Sequence, residues 1–172
     1  DAVIVSGDLG RHGMAIMAAR EGLEFESAIE SDSAPVHEPV LELIKAGIEI
    51  HCLRDLTRGG LSSALNEIAE AAGVTIAIEE KSVPVREDVH AACEMLGLEP
   101  VLVANEGRFV AFVAEKDAEK ASNTLRTFEV SSRAALVGRV TKKSPPLVTL
   151  KSALGVSRIL DMPSGEQLPR IC

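Results

Sequence analysis

Strand–helix pairs come first in this chain and neighbouring strands come later, and this order restricts the fold more than any single motif. Residues 3–6 form a short apolar run of buried-strand type, followed by a glycine-rich turn and a helical run from Met14. Residues 48–53 alternate, which predicts Ile48, Ile50 and Cys52 on one face and Glu49 and His51 on the other. They lead into a predicted helix from Leu61 with Ala64, Leu65, Ile68, Ala69 and Ala72 along one stripe. In the second half, runs at 101–104 and 109–114 flank Asn105–Arg108, which reads either as a hairpin turn or as a carboxylate held at strand ends. After an amphipathic helix over 117–128, residues 134–141, 147–150 and 155–160 read as further strands. A purely parallel sheet requires a crossover between each pair of strands, and the second half lacks them. The prediction is therefore an α/β (α+β) fold: an α/β/α layered domain with a mixed sheet.

A chain of 172 residues with 46% hydrophobic content is about one domain long and can bury a sizeable core. Its 18 basic against 26 acidic residues exclude a broad basic footprint for nucleic acid. With four Phe and neither Trp nor Tyr, stacking platforms for bases are excluded too. No apolar run approaches the ~20 residues of a membrane-spanning helix. Three cysteines without paired spacing argue against a disulfide framework and for reduced, cytoplasmic thiols. No His and Cys pair has metal-ligand spacing, so no metal site is expected in this chain. Cys93 falls on the apolar stripe Val89, Ala92 and Leu96 and is expected in the core. Because the chain opens almost at once on an apolar strand, without Met or leader, it is expected to be the C-terminal part of a longer polypeptide. Residues 1–162 are then the domain and 163–172 an arm.

Three stretches carry possible chemistry. The arm ends Leu168-Pro169-Arg170-Ile171-Cys172, with Pro163 and Pro169 stiffening the approach and Arg170 two residues from the thiol. It reads as a semi-rigid carrier of a nucleophile, or as a tail whose last residue happens to be cysteine. In Gly7-Asp8-Leu9-Gly10-Arg11-His12-Gly13, bare amides at a helix start suit close approach to a ligand, though a tight strand–helix turn needs the same glycines. His12, taken alone, is a loop or packing residue. In Arg54-Asp55-Leu56-Thr57-Arg58-Gly59-Gly60, Asp55 and Thr57 are predicted helix N-caps, while Arg58 and the paired glycines suit a phosphate or polar ligand group.

Taken together with Ala104-Asn105-Glu106-Gly107-Arg108, these stretches closely resemble the hydrogenase maturation protein family HypE, along the whole chain but only that family's C-terminal half. The closing Pro-Arg-Ile-Cys is the most specific element. The resemblance implies a fold like the C-terminal domain of PurM, the aminoimidazole ribonucleotide synthetase. It implies an ATP-dependent dehydratase that converts its own S-carbamoyl cysteine, Cys172, to a thiocyanate, the source of the iron cyanide ligands of nickel–iron hydrogenase. Glu106 matches the family's catalytic glutamate. Gly10, His12, Gly13, Asp55, Thr57, Arg58, Gly59 and Gly60 would line the cleft for nucleotide, with Arg58 stabilising charge. Pro169, Arg170 and Ile171 would present the thiol. The implied partners are the carbamoyltransferase HypF, the HypC–HypD complex and a second copy of the full-length protein. ATP and Mg2+ would be held mainly by the N-terminal domain that this chain lacks, so the fragment alone is expected to be inactive. Two other readings stay open: a docking module that presents the tail, and another ATP-dependent amide- or phosphate-activating enzyme of this superfamily with a free substrate.

Overall fold

The computed structural model describes residues 1–22, 28–143 and 145–162. Among them, seven strands form one mixed sheet: β1 (Ala2–Val5), β2 (Ile50–Asp55), β3 (Val74–Glu79), β4 (Phe109–Val113), β5 (Ala135–Lys143), β6 (Leu147–Lys151) and β7 (Ser157–Ile159). Their order across the sheet is β2-β4-β1-β5-β3-β6-β7. The β3–β6 pair is parallel and every other neighbouring pair is antiparallel. Five helices surround it: α1 (Arg11–Glu21), α2 (His37–Lys45), α3 (Gly60–Ala72), α4 (Glu87–Leu96) and α5 (Ala118–Arg126). The mixed, layered α/β prediction matches this architecture. Among the described residues, no helix is long and apolar enough to cross a membrane.

The central strands are apolar on both sides because both of their faces are covered. In β1, Val3 and Val5 enter a core shared with α3, whereas Ala2 and Ile4 enter a second core shared with α2 and α5. Strand β4 splits likewise, with Val110 and Phe112 on the α3 side and Phe109, Ala111 and Val113 on the other. This is why both strands read as unbroken hydrophobic runs. On α3 the buried residues Leu61, Ala64, Leu65 and Ala69 follow helical spacing. Each fully buried leucine there stabilises the fold by about 1.5–3 kcal/mol. A smaller cluster of Met14, Val89, Ala92, Cys93 and Val103 joins α1 to α4. Burial in it pushes the Cys93 thiol up to about 11.

Three local predictions are corrected. Residues 101–104 are not a strand: Pro100–Leu102 is a 3-10 turn, and Ala104 accepts the Gly13 N–H at 3.1 Å, outside any ladder. The N–H groups of Leu102 and Val103 are spent locally on the carbonyls of Glu99 and Pro100, so Glu106 lies in a loop that enters β4 and not in a hairpin. Cys52 does not share a face with Ile50. A register shift between them turns Cys52 towards the α3-side core while Ile48 and Ile50 pack on the other, since one extra residue reverses the alternation. Asp55 and Thr57 do not cap α3, whose N-cap is Gly59 at φ 68° with no side-chain hydrogen bond.

Candidate functional site

Three of the conspicuous sequence stretches meet at one end of the sheet, where β1 and β2 finish and β4 begins. The register pairs Val5 with Val110 and Asp55 with Phe109. Beyond the strands the pairing continues: the Ser6 N–H donates to the Phe109 carbonyl at 2.9 Å, and the Leu56 N–H donates to the Arg108 carbonyl at 3.0 Å. The loops 6–13, 54–60 and 104–108 are therefore held side by side by backbone before any side chain acts.

Side chains then lock them. Asn105 is fully buried, and its Oδ1 accepts the Gly10 N–H at 2.8 Å. Its Nδ2 donates to the carbonyls of Leu56 at 3.1 Å and Val103 at 3.0 Å. One amide thus ties all three loops. Asp32, its side chain wholly buried, accepts the N–H groups of His12 at 2.9 Å, Glu106 at 3.3 Å and Gly107 at 3.0 Å. The Arg108 guanidinium is 2% exposed and donates to the Asp8 carbonyl, the Asp8 carboxylate and the Gly107 carbonyl, each at 2.8 Å, and to the Val130 carbonyl at 3.0 Å. The other Asp8 oxygen lies 2.8 Å from Arg11 Nε. A buried ion pair recovers its desolvation cost only when its remaining hydrogen-bonding groups are satisfied. Here the Arg108 side of Asp8 is hydrogen-bonded, whereas Asp8 Oδ2 and Arg11 Nε are buried close together without hydrogen-bond geometry. The packing leaves no room at Gly107, where a Cβ would stand 2.0 Å from the Asp32 carbonyl oxygen.

Each predicted site residue has a defined place. Gly10, His12 and Gly13 sit where α1 begins, and their N–H groups are taken up by Asn105, Asp32 and the Ala104 carbonyl. The His12 Nδ1 lies 2.9 Å from Ser31 Oγ. The Thr57 carbonyl accepts the Gly60 N–H at 3.0 Å, and Gly59 caps α3. Asp55 is exposed and pairs with Arg54, which also reaches Glu67 at 3.0 Å. Arg58 is exposed and has no ion pair among the described residues. Glu106 is half-buried, and among the described residues its carboxylate has no hydrogen bond or ion pair. The structure thus gathers Gly10, His12, Gly13 and Glu106 into one locked assembly and leaves Asp55 and Arg58 on its rim. Pro169, Arg170, Ile171 and Cys172 lie outside the described residues. Among the described residues no three His, Cys, Asp or Glu side chains form a metal-ligand group.

Sequence reasoning missed the residues that do the locking. The stretch Ala104–Arg108 assigns no role to Asn105 or Arg108, and Asp32 lies outside every stretch that the sequence singles out. The available signal for the first two was their place beside Glu106, between apolar runs. Asp32 carries no local signal, because its partners are 20 to 75 residues away. The assembly can hold one free carboxylate, Glu106, on a backbone whose neighbouring N–H groups are fixed, an arrangement suited to moving a proton at a defined point.

Residues 1–151 match the family described as AIR synthase related protein, C-terminal domain. The chain belongs to that family. Within this AIR synthase related group it is 45% identical over all 172 residues to the carbamoyl dehydratase HypE of Azotobacter vinelandii, covering 50% of that protein. It superposes on a hydrogenase maturation protein HypE in complex with ATP with a TM-score of 0.93 and 40% identity, covering 99% of this chain and 52% of that one. On a HypE–HypF complex the TM-score is 0.90 with 42% identity, covering 94% of this chain and 52% of that one. The chain spans about half the length of the curated relatives it matches.

Proposed function

We propose that this chain is the C-terminal half of a carbamoyl dehydratase of HypE type, in which residues 1–162 form the domain and 163–172 an arm that carries Cys172. The observation that carries the reading is the locked loop assembly around Glu106, in a chain 45% identical from end to end to a carbamoyl dehydratase. In this reading the Cys172 sulfur accepts a carbamoyl group as a thiolate. The C–O bond of the resulting thiocarbamate then breaks, both N–H protons leave, and a thiocyanate remains. Bound ATP supplies the phosphoryl group that makes the oxygen a leaving group. Glu106 receives a proton from nitrogen, for which its carboxylate is free and its backbone fixed. Arg58, beside the α3 N-terminus that no side chain caps, supports the nucleotide at the rim together with Asp55, Thr57, Gly59 and Gly60. Gly10, His12 and Gly13 form the floor of the cleft.

A HypE bound to ATP and a HypE bound to HypF support nucleotide and HypF as the partners of the complete protein. We extend the reading to delivery of the cyanide to HypC–HypD, to dimerisation and Mg2+ binding through the half that this chain lacks, and to a cytoplasmic setting. The test is mass spectrometry of the C-terminal peptide of the full-length protein incubated with HypF, carbamoyl phosphate and ATP. The expected result is a carbamoyl adduct on Cys172 that then loses one water. An adduct that never dehydrates, or full dehydration of substrate in a Cys172→Ala protein, overturns the reading.

A further inference from the structure

Asp32 and Arg108 also form part of the wall of a cavity of about 510 Å³. None of the residues assigned above to carbamoyl or nucleotide chemistry lines it. Its wall is built by the start of α1, the loop at 31–34, Arg86 ahead of α4, and the segment 129–133 that leads towards β5. Guanidinium groups reach it from four separate segments: Arg11, Arg86, Arg108 and Arg133.

The balance of donors and acceptors at this wall is uneven. Of its two buried carboxylates, Asp32 accepts three backbone N–H groups, while Asp8 is ion-paired on both oxygens, hydrogen-bonded to Arg108 through Oδ1 and facing Arg11 through Oδ2 without a hydrogen bond. Arg108 spends four of its five N–H donors on Asp8, Gly107 and Val130. Arg11 faces Asp8 through Nε alone, as an ion pair without a hydrogen bond, and Arg86 spends Nε and one terminal nitrogen on Asp88. Arg133 is exposed, and neither it nor the Ser33 hydroxyl has a partner among the described residues. Glu129 is the remaining carboxylate of the wall, and it is exposed. The cavity therefore presents unspent cationic N–H donors from three directions, against one buried carboxylate oxygen, Asp8 Oδ2, whose charge is already paired with Arg11.

We propose that this cavity binds the phosphate group of a small phosphate-bearing molecule, at a site lined by none of the residues assigned to the nucleotide. Donors arriving from three segments suit the three terminal oxygens of a phosphate monoester better than the two of a carboxylate, and guanidinium forks match such oxygens in pairs. The volume exceeds what a bare ion fills and lies in the range of small-molecule sites. Because Asp32 and Arg108 also hold the Glu106 loop, an occupant here touches the residues that set the position of Glu106. The proposal does not depend on the dehydratase reading.

The test is a titration of the 172-residue chain, followed by backbone amide NMR shifts. The probes are inorganic phosphate and phenyl phosphate, with chloride and acetate at matched ionic strength. Both phosphates are expected to give saturable shifts at Ser33, Ala34 and residues 130–133. Arg133→Ala should weaken both by about tenfold or more, and Arg133→Lys should restore part of the loss. Arg133 has no partner whose loss would unfold the chain, and Arg86→Ala gives a second, independent reading of the site. Non-saturable shifts, equal shifts with chloride, acetate binding as tightly as phosphate, exclusion of phenyl phosphate, shifts centred on residues 55–60, or affinity unchanged in both alanine variants would each overturn the proposal.

Discussion

The carboxylate of Asp32 accepts the backbone N–H of Gly107 at 3.0 Å although 75 residues separate them. The same carboxylate holds the neighbouring Glu106 N–H and, on its other oxygen, the N–H of His12. Replacing it with Ala leaves buried or half-buried donors without an acceptor, at a cost of about 2–4 kcal/mol in urea denaturation. Asp32→Asn should not rescue, because its NH2 group must face at least one of those donors. Amide shifts of His12, Glu106 and Gly107 larger than those elsewhere would locate the damage, and unchanged stability would contradict it.

Asn105→Ala removes three buried hydrogen bonds at once, and about 2–4 kcal/mol of stability should go with them. The near-isosteric Asn105→Asp should also destabilise, since a carboxylate oxygen would then face the carbonyls of Leu56 and Val103. The check is the urea midpoint of both variants beside the parent. Recovery in the aspartate variant would mean that shape and not donor direction matters there.

Two glycines of similar backbone angle should respond differently to alanine. Gly60, at φ +58°, has no room: a Cβ would lie 2.5 Å from the Val103 carbonyl oxygen. Gly73, at φ +64°, closes α3 with open space around it. Gly73→Ala should cost about 1 kcal/mol for the angle alone, and Gly60→Ala about 3 kcal/mol or more, by thermal or urea unfolding.

The buried thiol of Cys93 gives stability an alkaline dependence. Folding raises it from 9.0 to about 11, so between those values the unfolded chain releases a proton that the folded chain keeps. By linkage, stability falls as pH rises through about 9 and levels off near 11. Denaturant midpoints from pH 7 upward should fall more steeply in the parent than in Cys93→Ala. Equal slopes would show that the thiol is not desolvated.

In the full-length protein, Glu106→Gln should leave carbamoylation of Cys172 and partner binding intact while dehydration slows by about 100-fold or more. Its carboxylate has no structural partner among the described residues, so the variant's urea midpoint should match the parent's. Loss of HypF binding without loss of dehydration would favour the docking-module reading.

Much of the architecture was legible because it is written in local periodicity. The runs in β1 and β4 and the stripe of α3 each announce their element and their buried face within a few residues. Where a prediction failed, a long-range or single-residue event had overridden the local pattern. The extra residue between Ile50 and Cys52 reverses a face, and the 3-10 turn at Pro100–Leu102 takes up the Leu102 and Val103 N–H groups that a strand at 101–104 would need. The β3–β6 parallel pair was equally hidden, because β5 and β6 are consecutive in the chain and β3 lies between them in the sheet.

Glu106 and the glycine loops could be picked out by eye, because unusual residues cluster there over a few positions. What holds them could not. Asn105, Asp32 and the Asp8–Arg108 pair act across 20 to 100 residues, and a hydrogen bond of that span leaves no mark on the neighbouring sequence. By itself, the order of residues determined which segments become strands and helices and which loops carry chemical groups, since those depend on neighbours along the backbone. Only the tertiary structure decided that three of those loops share one buried amide and that a buried carboxylate fixes the Glu106 backbone, because burial and hydrogen-bond geometry exist only once distant segments have packed.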